Sequence, residues 1–279
     1  MKYLALFALA SGLTFAADVA EPPQAKIEEI IQKFAANEAA FSKAREVYTY
    51  RQSARILDLD QSGATLGKWE MVSDIVFSQE GKRTEKVVRA PVGSLKSFVM
   101  TPEDLQDMQD VQPFVLTTAE LPKYFIRYLG RQKIDEIDCY VFAVKPKTVE
   151  GKQRYFTGQV WVDDRDLLIV KSYGRAWGVA NEKKKNVSPK FETFREQIDG
   201  KYWFPTYTVA NDTLNFPDGQ TARIRQTIRY EDYKQFGAES KITFGDEAKD
   251  NAVPVPSTVP APASEKPGEV KNKTVPEKR

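Results

Sequence analysis

The chain has 279 residues, 41% of them hydrophobic, enough for one sizeable core. Its formal charge is +2, it contains no histidine, and its single cysteine is Cys139. This excludes Ser-His-Asp and Cys-His catalysis, histidine-based zinc sites, an intramolecular disulfide and thiolate metal clusters, and it gives no overall bias toward nucleic acid.

At the amino terminus Lys2 precedes an apolar run from Tyr3 to Phe15, and Thr14-Phe15-Ala16 stands before Ala17 as a small-x-Ala cleavage pattern. The run is too short to span a bilayer and fits a secretory signal peptide over residues 1–16. No cysteine lies near that cleavage point, so no lipid attachment is expected there. The mature protein is expected to be exported, soluble, periplasmic and monomeric, with no later membrane-spanning segment.

From about Pro23 to Phe41, the residues Ile27, Ile30, Ile31, Phe34 and Phe41 recur at three- and four-residue steps, with Lys26, Glu28, Glu29, Gln32 and Lys33 opposite them. This is an amphipathic helix, and Pro22 and Pro23 suit its start. The period then changes to two. Tyr48, Tyr50, Ala54 and Ile56 share one strand face, and Thr49, Arg51, Ser53 and Arg55 the other. A second strand, a turn at Gln79-Glu80-Gly81 and a return strand follow, and "LKSFVM" (residues 95–100) reads as one more short strand. Thr101 as N-cap, Pro102 at the first helical position and an acidic first turn predict a short helical insertion.

Strands then dominate: Tyr124–Lys133, Ile137–Val144, Gln153–Val162, Leu167–Tyr173, Lys190–Ile198, Tyr202–Ala210, Ala222–Tyr230 and a piece near Ser240–Phe244. The connectors Asp135-Glu136, Asp163–Asp166, Asp199-Gly200 and Pro217-Asp218-Gly219 are short, as in an antiparallel meander. In the last long strand Ala222, Ile224, Ile228 and Tyr230 face one way and Arg223, Arg225, Arg229 and Glu231 the other. The middle strands are apolar on both faces: Tyr140, Phe142 and Val144 against Cys139, Val141 and Ala143, and Val160 and Val162 against Trp161. Such strands are either covered on both sides or line a greasy cavity. From Asp246 to Arg279 there is no aromatic residue and proline recurs, so a disordered tail over 246–279 is expected.

Two clusters invite a chemical reading. Asp163, Asp164 and Asp166 could supply a pair of carboxylates, but neighbouring residues of a turn point apart and Asp is a common turn former. Asp58, Asp60, Ser62 and Gly63 match the first half of a calcium loop, yet Trp69 stands where the bidentate Glu belongs, and a hairpin loop is the expectation. Cys139, in an apolar strand, reads as a buried inert thiol, and Lys183-Lys184-Lys185 as a solvated loop. No catalytic residue, metal site or cofactor is expected, and the chain does not read as an enzyme.

Three segments carry a family resemblance: "YLGRQKIDEIDCYVFAVKPK" (Tyr128–Lys147), "GQVWVDDRDLLIVKSYG" (Gly158–Gly174) and "IDGKYWFPTYTV" (Ile198–Val209). In their order and spacing they resemble the lipoprotein-sorting superfamily, the LolA-like, LolB-like and RseB amino-terminal-domain-like proteins. The resemblance spans about Pro23 to Phe244. It implies an α+β fold over residues 17–245, in which a long antiparallel meander forms a half-open β-barrel closed by the amino-terminal helix and the helical insertion. It also implies a hydrophobic cavity for a lipid, a lipoprotein acyl chain or another apolar ligand, and a role in outer-membrane biogenesis. Combined with strand alternation, it assigns Tyr48, Tyr50, Phe142, Val144, Val160, Val162, Ile224 and Ile228 to the cavity wall, and Trp161 to a place under a helix. The expected partner is a lipid or acylated protein. The alternative is a periplasmic scaffold or signalling regulator that binds a cell-envelope protein through the same sheet.

Overall fold

The computed structural model describes residues 21–78, 82–179 and 187–236. The signal peptide over 1–16, the turn at Gln79-Glu80-Gly81, the Lys183–Lys185 run, the strand near Ser240–Phe244 and the tail over 246–279 lie outside the described residues.

Helix α1 runs Gln24–Ala44 and buries Ile27, Ile30, Phe34, Ala35, Glu38 and Phe41, one stripe at helical spacing. Strands β1 (Tyr48–Leu59), β2 (Thr65–Phe77) and β3 (Arg83–Gly93) follow as an antiparallel meander. The short helix α2, Pro102–Gln106, starts with a reciprocal capping box between Thr101 and Asp104 and continues as a π-helical turn over Asp107–Val111. Seven strands complete the chain: β4 (Tyr124–Ile134), β5 (Ile137–Pro146), β6 (Tyr155–Asp163), β7 (Ile169–Trp177), β8 (Phe191–Ile198), β9 (Tyr202–Asn215) and β10 (Thr221–Gln235).

All ten strands form one antiparallel sheet in the order β3-β2-β1-β10-β9-β8-β7-β6-β5-β4. The last strand pairs with the first, so β10 joins the amino-terminal meander to the carboxyl-terminal one. Among the described residues β3 and β4 are left as unpaired edges, and the sheet is an open half-barrel, as expected.

Two elements cover its inner face. α1 lies over β5–β8, where Ile27, Ile30 and Phe34 pack with Phe142, Val144, Val160, Val162 and Ile169, and the Phe34 and Phe142 rings are 5.4 Å apart. The insertion lies over β1, β2 and β10, where Leu95, Phe98, Met100, Leu105 and Met108 pack with Ala54, Ile56, Trp69, Met71 and Ile228.

The segment "LKSFVM" is not a strand. The carboxylate of Asp58, fully buried, accepts the backbone N–H groups of Lys96 and Ser97 at 2.8 and 2.7 Å and the Ser97 hydroxyl at 2.8 Å. Those donors are thereby removed from any ladder, and Leu95, Phe98 and Met100 turn onto the sheet as a cover.

Both candidate carboxylate clusters are turns. Asp60 accepts the Ser62 hydroxyl and the Ala64 N–H at 2.7 and 2.9 Å, with Gly63 at φ +89°, whereas Asp58 points into the core. In the β6–β7 turn Asp163 accepts the Arg165 N–H at 3.1 Å, Asp164 accepts from Arg131, and Asp166 accepts from Gln197 and Trp203 at 2.9 and 3.1 Å. The three carboxylates thus accept four structural bonds from separate partners.

Candidate functional site

The covers over the inner face do not meet edge to edge. Between the end of α1, strands β1–β3 and the insertion runs a cleft of about 550 Å³, within the range of small-ligand sites. Its floor is aromatic. Phe114 stacks on Phe156 with ring centres 4.4 Å apart and meets Tyr124 edge-on at 5.9 Å. Tyr50 and Phe77 line the opposite end.

That end is cationic. Arg45 sits in the 3₁₀ turn between α1 and β1, its guanidinium 6.0 Å from the centre of the Phe77 ring. It makes no ion pair with any described residue. Burial pulls its pKa below the ordinary arginine value; repulsion from Arg195 adds to this, and Tyr50 and Glu38 oppose it. Arg83 is the register partner of Phe77. It bonds Glu85 and Gln52 through its two Nη atoms at 3.3 Å each, and its Nε is buried without an acceptor among the described residues.

Two buried ion pairs hold the walls. Glu38 of α1 accepts from Arg195 of β8 at 3.0 and 3.3 Å and from the Ile169 N–H at 2.9 Å, and Arg195 also donates to the Phe114 carbonyl. One charged pair therefore ties helix, sheet and cleft floor together. Arg154, just before β6, grips Asp107 of the insertion through Nε and Nη2, both at 2.7 Å, with the Ser188 hydroxyl completing the cluster. Burial pushes the Asp107 carboxyl above its ordinary value, against the pull of Arg154. The polar row continues from Gln112, which bonds the Gln226 side chain and accepts the Thr193 hydroxyl on its carbonyl, and Thr193 bonds Thr208, which bonds the Tyr230 hydroxyl.

A second, apolar cavity lies under the insertion, bordered by Phe98, Met100, Met108, Phe191, Ile224 and Phe216. Its volume is about 60 Å³, room for water-sized occupants and too small for an acyl chain.

Of the eight residues read from sequence as cavity wall, Tyr50 lines the large cleft and Ile224 the small cavity. Phe142, Val144, Val160 and Val162 are buried in the packed layer beneath α1. Tyr48 packs with Phe41 and Phe204, and Ile228 with the insertion. Trp161 is on the opposite face from the helix. It packs with Cys139, Val141 and Val170, donates its indole N–H to Gln132 at 2.8 Å, and carries the Lys171 ammonium 5.0 Å from its ring centre. α1 takes the valine face, and alternation sends the indole outward.

Sequence reasoning missed the charged members. Glu38 stands on the greasy stripe of α1 between Phe34 and Phe41, and Arg195 shares the inward parity of Phe191 and Thr193. A charge on the buried parity of two elements was the available signal. Nothing local marks Arg45.

No family model matches the chain, and no curated protein does. Among solved structures it is similar to a DUF1329 family protein from Desulfovibrio piger, at 17% identity and TM-score 0.37, covering 75% of this chain and 95% of that one. It is similar to a putative outer membrane lipoprotein-sorting protein domain from Vibrio parahaemolyticus, at 13% identity and TM-score 0.34, covering 75% and 95%. A LolA superfamily protein from Nitrosomonas europaea aligns at 14% identity and TM-score 0.32, covering 72% and 94%. The site is built from this chain's own side chains.

Proposed function

We propose that the protein is a non-enzymatic binding protein that holds an amphiphile, an apolar chain with an anionic end, in the cleft between α1 and the insertion. A fatty acid or an anionic phospholipid has that chemistry; the acyl group of an acylated protein, held as an ester or amide, lacks the anionic end. The observation that carries this reading is the Arg45 guanidinium, half-buried beside Phe77 and without a carboxylate partner among the described residues. A desolvated cation of this kind favours an anion, and the apolar tail would meet the edges of Phe114, Phe156 and Tyr124, buried at the cleft floor, between polar walls that include Asp110 and Glu120. Export to a periplasm belongs to the same proposal and rests on the Lys2–Ala16 leader.

A fluorescent polyene fatty acid and the corresponding alcohol provide the test. Arg45→Met is expected to weaken binding of the acid by about tenfold, a loss of about 1.4 kcal/mol, and to leave the alcohol nearly unchanged. Equal affinity for acid and alcohol in the unaltered protein would refute the reading. Mass spectrometry of organic extracts from the natively purified protein then identifies the resident ligand, and amino-terminal sequencing locates the cleavage point.

A protein partner on the sheet is the second reading, favoured by one feature. β3 is an unpaired edge that exposes Val87, Val88 and Val92, the signature of a strand open to augmentation. A lipid-free extract together with loss of partner capture on Val88→Lys would favour it.

A further inference from the structure

On β5–β7 the side chains that do not face α1 point outward, among them Lys145, Tyr173 and Arg175, alternating with Val144, Gly174 and Ala176. There β6 and β7 approach closely. Gly158 and Gly174 are opposite each other across β6 and β7. A Cβ on Gly158 would lie 2.1 Å from the Tyr173 carbonyl oxygen, and one on Gly174 would lie 2.3 Å from that of Thr157, so only glycine allows this approach. An outer groove of about 710 Å³ lies over these two glycines.

The groove is charged in one sense. Lys145, Lys147, Arg175 and Lys190 line it, and no carboxylate does among the described residues. None of the four forms an ion pair within the described residues. Its rim is apolar. Phe125, the register partner of Lys145, is 61% exposed, with the Lys147 ammonium 5.7 Å from its ring centre, and Tyr173 is 37% exposed.

Unpaired cations beside an exposed phenyl ring are the pattern of a surface that meets both phosphate and hydrocarbon. A soluble anion would need the cations alone, and a purely apolar partner would leave four charges desolvated. We propose that this outer face docks on the surface of an anionic bilayer, with a phospholipid phosphate in the groove and Phe125 seated at the headgroup boundary. The assignment is independent of what the inner cleft holds.

Co-sedimentation of the protein with vesicles tests it. Binding to phosphatidylglycerol–phosphatidylcholine vesicles should exceed binding to phosphatidylcholine alone by about tenfold and should fall steeply as salt rises. The triple variant Lys145→Ser, Arg175→Ser, Lys190→Ser should lose that preference. Phe125→Ser should weaken vesicle binding while the salt dependence persists. An unchanged thermal midpoint and unchanged uptake of the fatty-acid probe would show that both variants fold and keep the inner cleft. Equal binding to the two vesicle types would overturn the proposal, as would a triple variant that binds like the parent. Capture of soluble poly-glutamate without vesicle binding would overturn it too and would point to an acidic protein segment.

Discussion

Arg45 and Glu38 are both charged groups near the core, yet they do opposite things. Glu38 is saturated by Arg195 and a backbone N–H, so its charge organises the interior. Breaking such a pair from one side is expensive: Glu38→Ala should cost about 3–5 kcal/mol in urea denaturation because it strands Arg195. Glu38→Leu combined with Arg195→Met should recover most of that loss, since two apolar groups of similar volume carry no desolvation penalty. Cys139 is the other group whose chemistry is set by its surroundings. Burial, with Asp163 nearby, pushes its thiol up to about 11. Thiolate is the reactive form, so at pH 8 the native protein should react with iodoacetamide at least about 100-fold more slowly than the urea-unfolded chain. Comparable rates in the two states would show that Cys139 is accessible. Its burial was legible in the sequence from the apolar strand around it. The depth of Arg45 was not, because that depends on the insertion and β3, far away along the chain.

The elements themselves were largely readable. Alternation located β1, β2 and β4–β10, helical spacing located α1, and the Thr101-Pro102 start located α2. The misreading of residues 95–100 has a single physical cause. "LKSFVM" has strand composition, but the buried Asp58 carboxylate, 38 residues away from Lys96, removes its backbone donors. Propensity describes a pleated half-buried surface and gives way when a distant side chain offers a better bond. Asp58→Ala should therefore free the segment that starts the insertion, at a cost of at least about 4 kcal/mol for three lost bonds to a buried carboxylate, measurable by urea denaturation. Faster proteolysis near Lys96 should accompany it. Trp161→Ala should also cost about 3 kcal/mol, although no helix covers that side chain. Val160→Phe should cost about 1–3 kcal/mol, because the valine lies in a filled layer against α1 and the added ring has no room. Which face of a doubly apolar strand receives a helix is set by the stripe of α1, and β5 and β6 alone cannot reveal it.

Across the described residues the molecule is a sheet with two borders that carry no partner strand and one internal joint. β10 is flanked by β1 and β9, whereas β3 is paired on one side only and exposed over most of its length. Amide exchange should follow that order, with β10 and β1 slowest and β3 fastest. Rapid exchange in β10 would contradict the sheet order. The open architecture was readable from the helix, the three strands, the insertion and the meander in succession. The β1–β10 pairing was not, because antiparallel neighbours so distant in sequence leave no turn between them. That joint has a temporal side. Leu59 and Arg223 are register partners, so the first strands have no permanent neighbour on that side until the last ones exist. A nascent chain stopped before Thr221 holds two meanders with no strand ladder between them, joined only by α1 and the insertion. The fold is thus late by construction: synthesis must run to β10 before the native sheet can close its central ladder.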